Sequence, residues 1–248
     1  LDPIFMKFLG LKGVALGTII SEMIGFYLFY SKIIQKRMIN LKKGIFRIKR
    51  FFIEGINIQI RSLSITLIYL IAARKIQYFD NTDILSTTHV LNIQLFELAF
   101  ICSYSYGQIP PILIPRYENP IYVQKRIYYW GSYLSVIVFF IHLSAGNYLT
   151  YFTSDKMVLK NSKKIIYIGS ILQSLGTYTS INEGICQSYK MYKILSFGSL
   201  MSLTVFCMYI RKAKTLSEIW IGLCFASSCR ALINFLFIKK KNREIKNV

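Results

Sequence analysis

The 248-residue chain is 54% hydrophobic, yet it carries 31 Lys and Arg against 11 Asp and Glu, a net charge of +20. Such a composition excludes an ordinary soluble domain, because charge and apolar bulk occupy different places: runs of bilayer-crossing length alternate with short basic loops. No nucleic-acid partner is expected, since no RNA- or DNA-reading motif accompanies the charge and basic residues beside apolar runs are drawn to anionic lipid.

A bilayer core takes about 20 apolar residues of helix. The sequence predicts an all-α polytopic bundle of about seven spans, over roughly 10–31, 56–73, 86–114, 127–152, 164–187, 193–210 and 216–238. In the first, Gly10, Gly13, Ala15 and Gly17 give a small-residue face suited to helix packing. A basic stretch follows, so the chain divides into a solitary first helix (1–33), a basic linker (34–55), a six-helix body (56–238) and a basic tail (239–248). The second span opens with Asn57, Gln59 and Arg61, and the third is broken late by Pro110, Pro111 and Pro115. In the fourth, Tyr128, Tyr129 and Trp130 beside Lys125 and Arg126 read as an interfacial belt, and His142 as a packing residue. More of the basic residues fall on the side of Lys32–Arg50, Arg116, Arg126 and the tail, which puts the C-terminal tail on the cytoplasmic face. The chain starts Leu-Asp-Pro rather than with Met, which reads as a fragment.

Charges inside a bilayer are costly and default to functional hypotheses. Three acids qualify: Glu22, Glu97 and Glu183. Glu97 follows His89 by eight residues, about two helical turns, and the pair reads as sharing a face. Asn182 adds an oxygen beside Glu183, and Tyr104 stands as a cavity aromatic for an organic substrate. Either a proton or Na⁺ could exchange at a buried carboxylate, or the acid could be held in a structural pair. Arg61 and Arg230 lie within spans as counter-ions for a carboxylate that the sequence does not specify. The five cysteines, Cys102, Cys186, Cys207, Cys224 and Cys229, form no CxxC pair, and neither a metal site nor a disulfide framework is expected. Without a nucleophile triad, a phosphate loop or a dinucleotide fingerprint, the chain does not read as an enzyme, and no cofactor beyond a coupling ion is expected.

Several short motifs resemble a known family. Gly13-Val14-Ala15-Leu16-Gly17-Thr18-Ile19-Ile20-Ser21-Glu22 is similar to the G-V-x-G-A-A-x-A-T-x-x-S-[QE] signature of the sixth helix of MATE (multidrug and toxic compound extrusion) transporters. In order, Arg61-Ser62-Leu63, Thr88-His89-Val90 with Gln94, Phe152-Thr153-Ser154-Asp155, Gln173 with Glu183-Gly184, and Trp220, Leu223 and Arg230 resemble later motifs of the DinF-like branch. Departures are Tyr104 where that branch has an acid, and Pro110-Pro111 where the family has Gly-Gln. The resemblance implies helices six to twelve of twelve: the last helix of an incomplete N-terminal lobe and a C-terminal lobe, with the remaining N-terminal helices as the missing partner. It implies a multi-pass antiporter of the MOP superfamily, exporting organic small molecules in exchange for H⁺ or Na⁺, in a plasma or plastid-type organelle membrane. The alternatives are a lipid-linked flippase of the same superfamily, for which Arg61 and Arg230 on one cavity would speak, and a non-transporting or degenerate membrane subunit.

Overall fold

A computed structural model describes residues 5, 10–35 and 41–246. Among these there is no strand, and the chain separates into two units, residues 1–53 and 54–248. The first unit holds α1 (Leu11–Gln35), in which every residue from Ser21 to Tyr30 is exposed. Helix α2 (Leu41–Phe79) crosses the division, so the second half of the expected linker is helical; residues 36–40 lie outside the described ones.

The second unit continues with α3 (Ile84–Gly107), the short α4 (Ile109–Leu113), α5 (Pro120–Ser144), α6 (Lys156–Ser188), α7 (Tyr192–Ile210) and α8 (Leu216–Lys246). Over the described residues, five stretches are long and apolar enough to cross a membrane: Phe52–Phe79, Ile84–Arg116, Pro120–Asn147, Tyr192–Ile210 and Leu216–Ile245. The chain is a multi-pass, all-helical membrane bundle.

Local chemistry sets the helix ends. α3 stops at Gly107, and Pro110 and Pro111 occupy the first turn of α4, where a missing N–H leaves no intrahelical bond unmade. α5 begins seven residues before its expected start at 127, because Asn119 caps it (Oδ1 accepts from Tyr122 N at 3.0 Å) with Pro120 in the first turn. The Phe152–Asp155 motif proves to be a cap for α6: Asp155 Oδ1 accepts from the Met157 and Val158 amides at 2.7 and 3.3 Å. At the head of α8, Glu218 Oε2 accepts from the Lys214 and Thr215 amides while its own amide reaches Thr215 Oγ1, a reciprocal capping box. The expected tail is helix to Lys246, and Asn242 and Gln124 exchange two amide hydrogen bonds that tie the end of α8 to α5.

Asp80 caps α3 from outside the helix, since Asp83 at its start makes no side-chain cap. Asp80 Oδ2 accepts from Ser86 N at 2.6 Å and Oδ1 from Thr82 N at 3.3 Å. Burial pushes the Asp80 carboxyl up, but the hydrogen bonds from Ser86 and Thr82 outweigh it and hold the group below the usual carboxylate value. A carboxyl depressed on folding stabilises fully above its unfolded pKa and loses that contribution as pH falls through the folded one. Asp80→Ala is therefore expected to cost about 1 kcal/mol at neutral pH. The gap between wild type and variant, read by thermal unfolding in detergent, should close as the solution is acidified.

α6 is the hub. It packs most extensively on α3, α5 and α8. It is not among the five apolar stretches, because it meets helices rather than lipid along much of its surface, and its buried positions include Gly169, Ser170, Gly176, Thr177, Thr179 and Ser180. Hydroxyls and amides tie it outward: Ser103 with Thr177 at 2.7 Å, Asn92 to Ser162 at 3.1 Å, Thr179 with Ser227 at 3.2 Å. Around it an apolar core joins Ile68, Ala72 and Ile76 of α2 to Phe96, Ile165, Phe206 and the fully buried Trp220.

The tightest crossing lies between α3 and α6. A Cβ built on Gly184 would sit 2.1 Å from the carbonyl oxygen of Gly107, and one on Gly107 would meet Ser180 Cβ at 2.8 Å. Only glycine allows two backbones this close. The Pro110 ring closes over the same spot, 3.1 Å from that Gly184 position.

Candidate functional site

Next to this crossing, three helices deliver three charges to one point. Glu183 of α6, 5% exposed, receives Arg61 from α2 and Arg230 from α8. An Arg61 Nη2 hydrogen donates to Glu183 Oε2, and Arg230 Nε lies 3.2 Å from Oε1 as an ion pair without hydrogen-bond geometry. Each residue follows from its own helix: Arg61 comes two turns into the apolar part of α2, Arg230 sits midway along α8, and Glu183 faces both because α6 is enclosed. The structure thus brings Arg61, Arg230 and Glu183 together, which the sequence placed only in separate spans.

Two guanidiniums on one carboxylate leave an excess positive charge inside the bundle. Desolvating such a cluster is costly, and mutual attraction offsets that cost only where the geometry is good. A coupling cation would have to approach Glu183 through the field of both arginines. An anion would be drawn to it. Arg230 also lines a small cavity of about 40 Å³, which Tyr69, Phe100, Ser202 and Ser227 help enclose. That is room for about two water-sized groups.

The neighbours of the triad hold helices together. Asn182 is bonded at both ends of its amide: its Nδ2 donates to the Ala231 carbonyl at 2.9 Å and its Oδ1 accepts from Tyr128 OH at 2.5 Å, joining α5, α6 and α8. Tyr128, placed by sequence in the interfacial belt, turns inward to make this bond, whereas Tyr129 and Trp130 are exposed as a belt requires. Ser196 Oγ donates to Asn57 Oδ1 at 2.9 Å, fastening α7 to the start of the apolar part of α2.

Of the other expected site residues, Tyr104 comes within electrostatic reach of Arg61, while His89 and Glu97 make no ion pair or hydrogen bond with the triad. His89 is buried, with its ring edge-on to Trp220 at 5.9 Å and no hydrogen bond at Nδ1. Glu97 is exposed, about 80° round α3 from His89, so the two do not share a buried face. Tyr104 is 54% exposed. Glu22 lies in the first unit, on the exposed length of α1. His142 fits against Gly169, its Nε2 2.6 Å from where a Cβ on that glycine would stand.

Sequence reasoning missed the Gly107–Gly184 contact, the Tyr128–Asn182 bond and the convergence of the arginines. The Thr215-x-x-Glu218 box carried a readable signal. Convergence carried none, because the partner of a membrane charge depends on how helices rotate about their axes. No family model, no curated protein and no solved structure matches the chain.

Proposed function

We propose that this chain is a transporter lobe of the MOP type, acting on a membrane-resident substrate with an anionic group, as a lipid-linked flippase does. The observation that carries this reading is the Arg61–Glu183–Arg230 cluster: two partly buried guanidiniums share one buried carboxylate, and one of them lines a cavity. In a low-dielectric interior a surplus positive charge attracts a phosphate or carboxylate strongly and repels a cation. Glu183 then keeps the two arginines in register, and the substrate's anionic group supplies the charge the cluster lacks. No bond is made or broken in the step.

A second reading is the cation-coupled antiporter of organic compounds. The order of the MATE-like motifs favours it, and Glu97, which takes part in no ion pair among the described residues, would be its free acid. On that reading Glu183 is a structural ion-pair member and coupling runs elsewhere.

The two readings separate in proteoliposomes holding the full chain. Translocation of a fluorescent phosphatidylglycerol would be compared with that of its phosphatidylcholine counterpart, and with efflux of a cationic dye under H⁺ and Na⁺ gradients. The flippase-like reading expects the anionic lipid to move preferentially, and Arg230→Gln to slow it by about tenfold or more, the worth of one charge-assisted contact. Gradient-driven dye efflux without lipid movement would overturn it in favour of the antiporter. Neither activity would leave a non-transporting subunit.

A further inference from the structure

A second site lies where α3 gives way to α4. Because α3 stops at Gly107 and the Pro110 ring is drawn onto α6 at Gly184, the α4 segment stands off from α5 and leaves an open groove of about 390 Å³. Its floor is apolar, with Ile109 and Leu113 on one wall and Val123, Ile127 and Trp130 on the other. Tyr106 bridges the walls at the base, its OH donating to the Ile127 carbonyl at 2.9 Å. One charge reaches the groove: Arg126.

The side chain of Arg126 is held in place. Its Nε donates to Tyr122 OH at 3.0 Å, and the guanidinium carbon lies 5.5 Å from the centre of the Tyr122 ring. No acid pairs with Arg126 among the described residues. Arg116 and Lys125 add positive charge nearby and Glu118 removes some, so the mouth is basic on balance.

Depth gives the groove a direction. The apolar stretches Ile84–Arg116 and Pro120–Asn147 meet at the turn 117–119, so that turn marks one membrane surface. Along α5, Arg126 lies about 9 Å below Pro120 and Trp130 about 15 Å below it. An Arg at the first depth reaches up to phosphate level, and an apolar wall at the second lies among acyl chains.

We infer that the α4–α5 groove is a binding site for an anionic phospholipid, with its phosphate on Arg126 and one acyl chain against Ile109, Ile127 and Trp130. The site is separate from the Arg61–Glu183–Arg230 cluster, and the inference holds whatever that cluster carries. A zwitterionic lipid offers the same chain, but its headgroup cation opposes the basic mouth.

Native mass spectrometry of the purified chain, with phosphatidylglycerol or phosphatidylcholine of identical acyl chains added to the detergent, tests the assignment. Phosphatidylglycerol should be retained about fivefold better, the scale of one basic side chain at a lipid surface. Arg126→Gln should lower it, and in an Arg230→Gln background, where the triad no longer offers two guanidiniums, should bring it down to the phosphatidylcholine level, while Lys125→Gln, outside the groove lining, leaves it high. Ile109→Trp, which fills the groove, should reduce both lipids, and a single size-exclusion peak would certify that each variant is folded. Equal retention of the two lipids by wild type, or retention unchanged in both Arg126→Gln and Ile109→Trp, would overturn the inference.

Discussion

Replacing Glu183 with Gln is expected to destabilise the bundle by about 3 kcal/mol, the lower end for breaking a buried pair because both arginines are partly exposed, since it leaves two guanidiniums facing each other without the carboxylate they share. The loss comes less from missing attraction than from the uncompensated charges left behind. It is therefore expected to be reversible by removing them. A triple variant, Arg61→Met, Glu183→Leu and Arg230→Met, should recover most of the stability, since an apolar replacement of a whole buried cluster is often neutral or stabilising. Thermal unfolding in detergent, followed by helical circular dichroism, reads both. If Glu183→Gln unfolded at the wild-type temperature, the triad would be no part of what holds α2, α6 and α8 together. If the triple variant were stable but inert in the lipid assay, the cluster would belong to function rather than to folding.

Gly184→Ala is the second large expected effect. The added methyl would lie 2.1 Å from the Gly107 carbonyl oxygen, and a backbone atom cannot rotate aside as a side chain can. α3 and α6 must separate, which loosens the Ser103–Thr177 bond and the Phe96 packing on the same pair of helices. The expected cost is about 2–3 kcal/mol, at the upper end for overpacking, and more for Gly184→Val. Gly25→Ala is the matched control: nothing lies within 4 Å of a Cβ there, so no loss is expected. An unchanged unfolding temperature for Gly184→Ala would mean that the crossing is looser than the geometry requires.

Length and hydropathy made the helices of the second unit readable, since a run near 20 apolar residues has few other fates. Boundaries were less readable where polar residues cap a helix from outside it, as Asp80 and Asp155 do. The pairing of His89 with Glu97 failed on simple geometry. Eight residues turn a helix through two turns plus about 80°, enough to carry the second residue off the buried stripe. Phe96, seven residues on, stays within about 20° of His89, and it is buried. The charges of the candidate site were visible one by one, but a hydropathy profile holds no term for which helix faces which, so their meeting point was not.

The polarity of α6 has a consequence for how the protein is made. A helix enters a bilayer in proportion to its own apolar content, and α6 is the long helix of the second unit that falls short of the five spans around it. Its serines, threonines and Asn182 find their partners on α3, α5 and α8, and α8 is synthesised after it. The centre of the bundle is thus the segment least able to reach the membrane by itself. Its residence there depends on neighbours, one of which has not yet left the ribosome when α6 emerges, so assembly of this bundle is a cooperative act of several helices rather than a series of independent insertions.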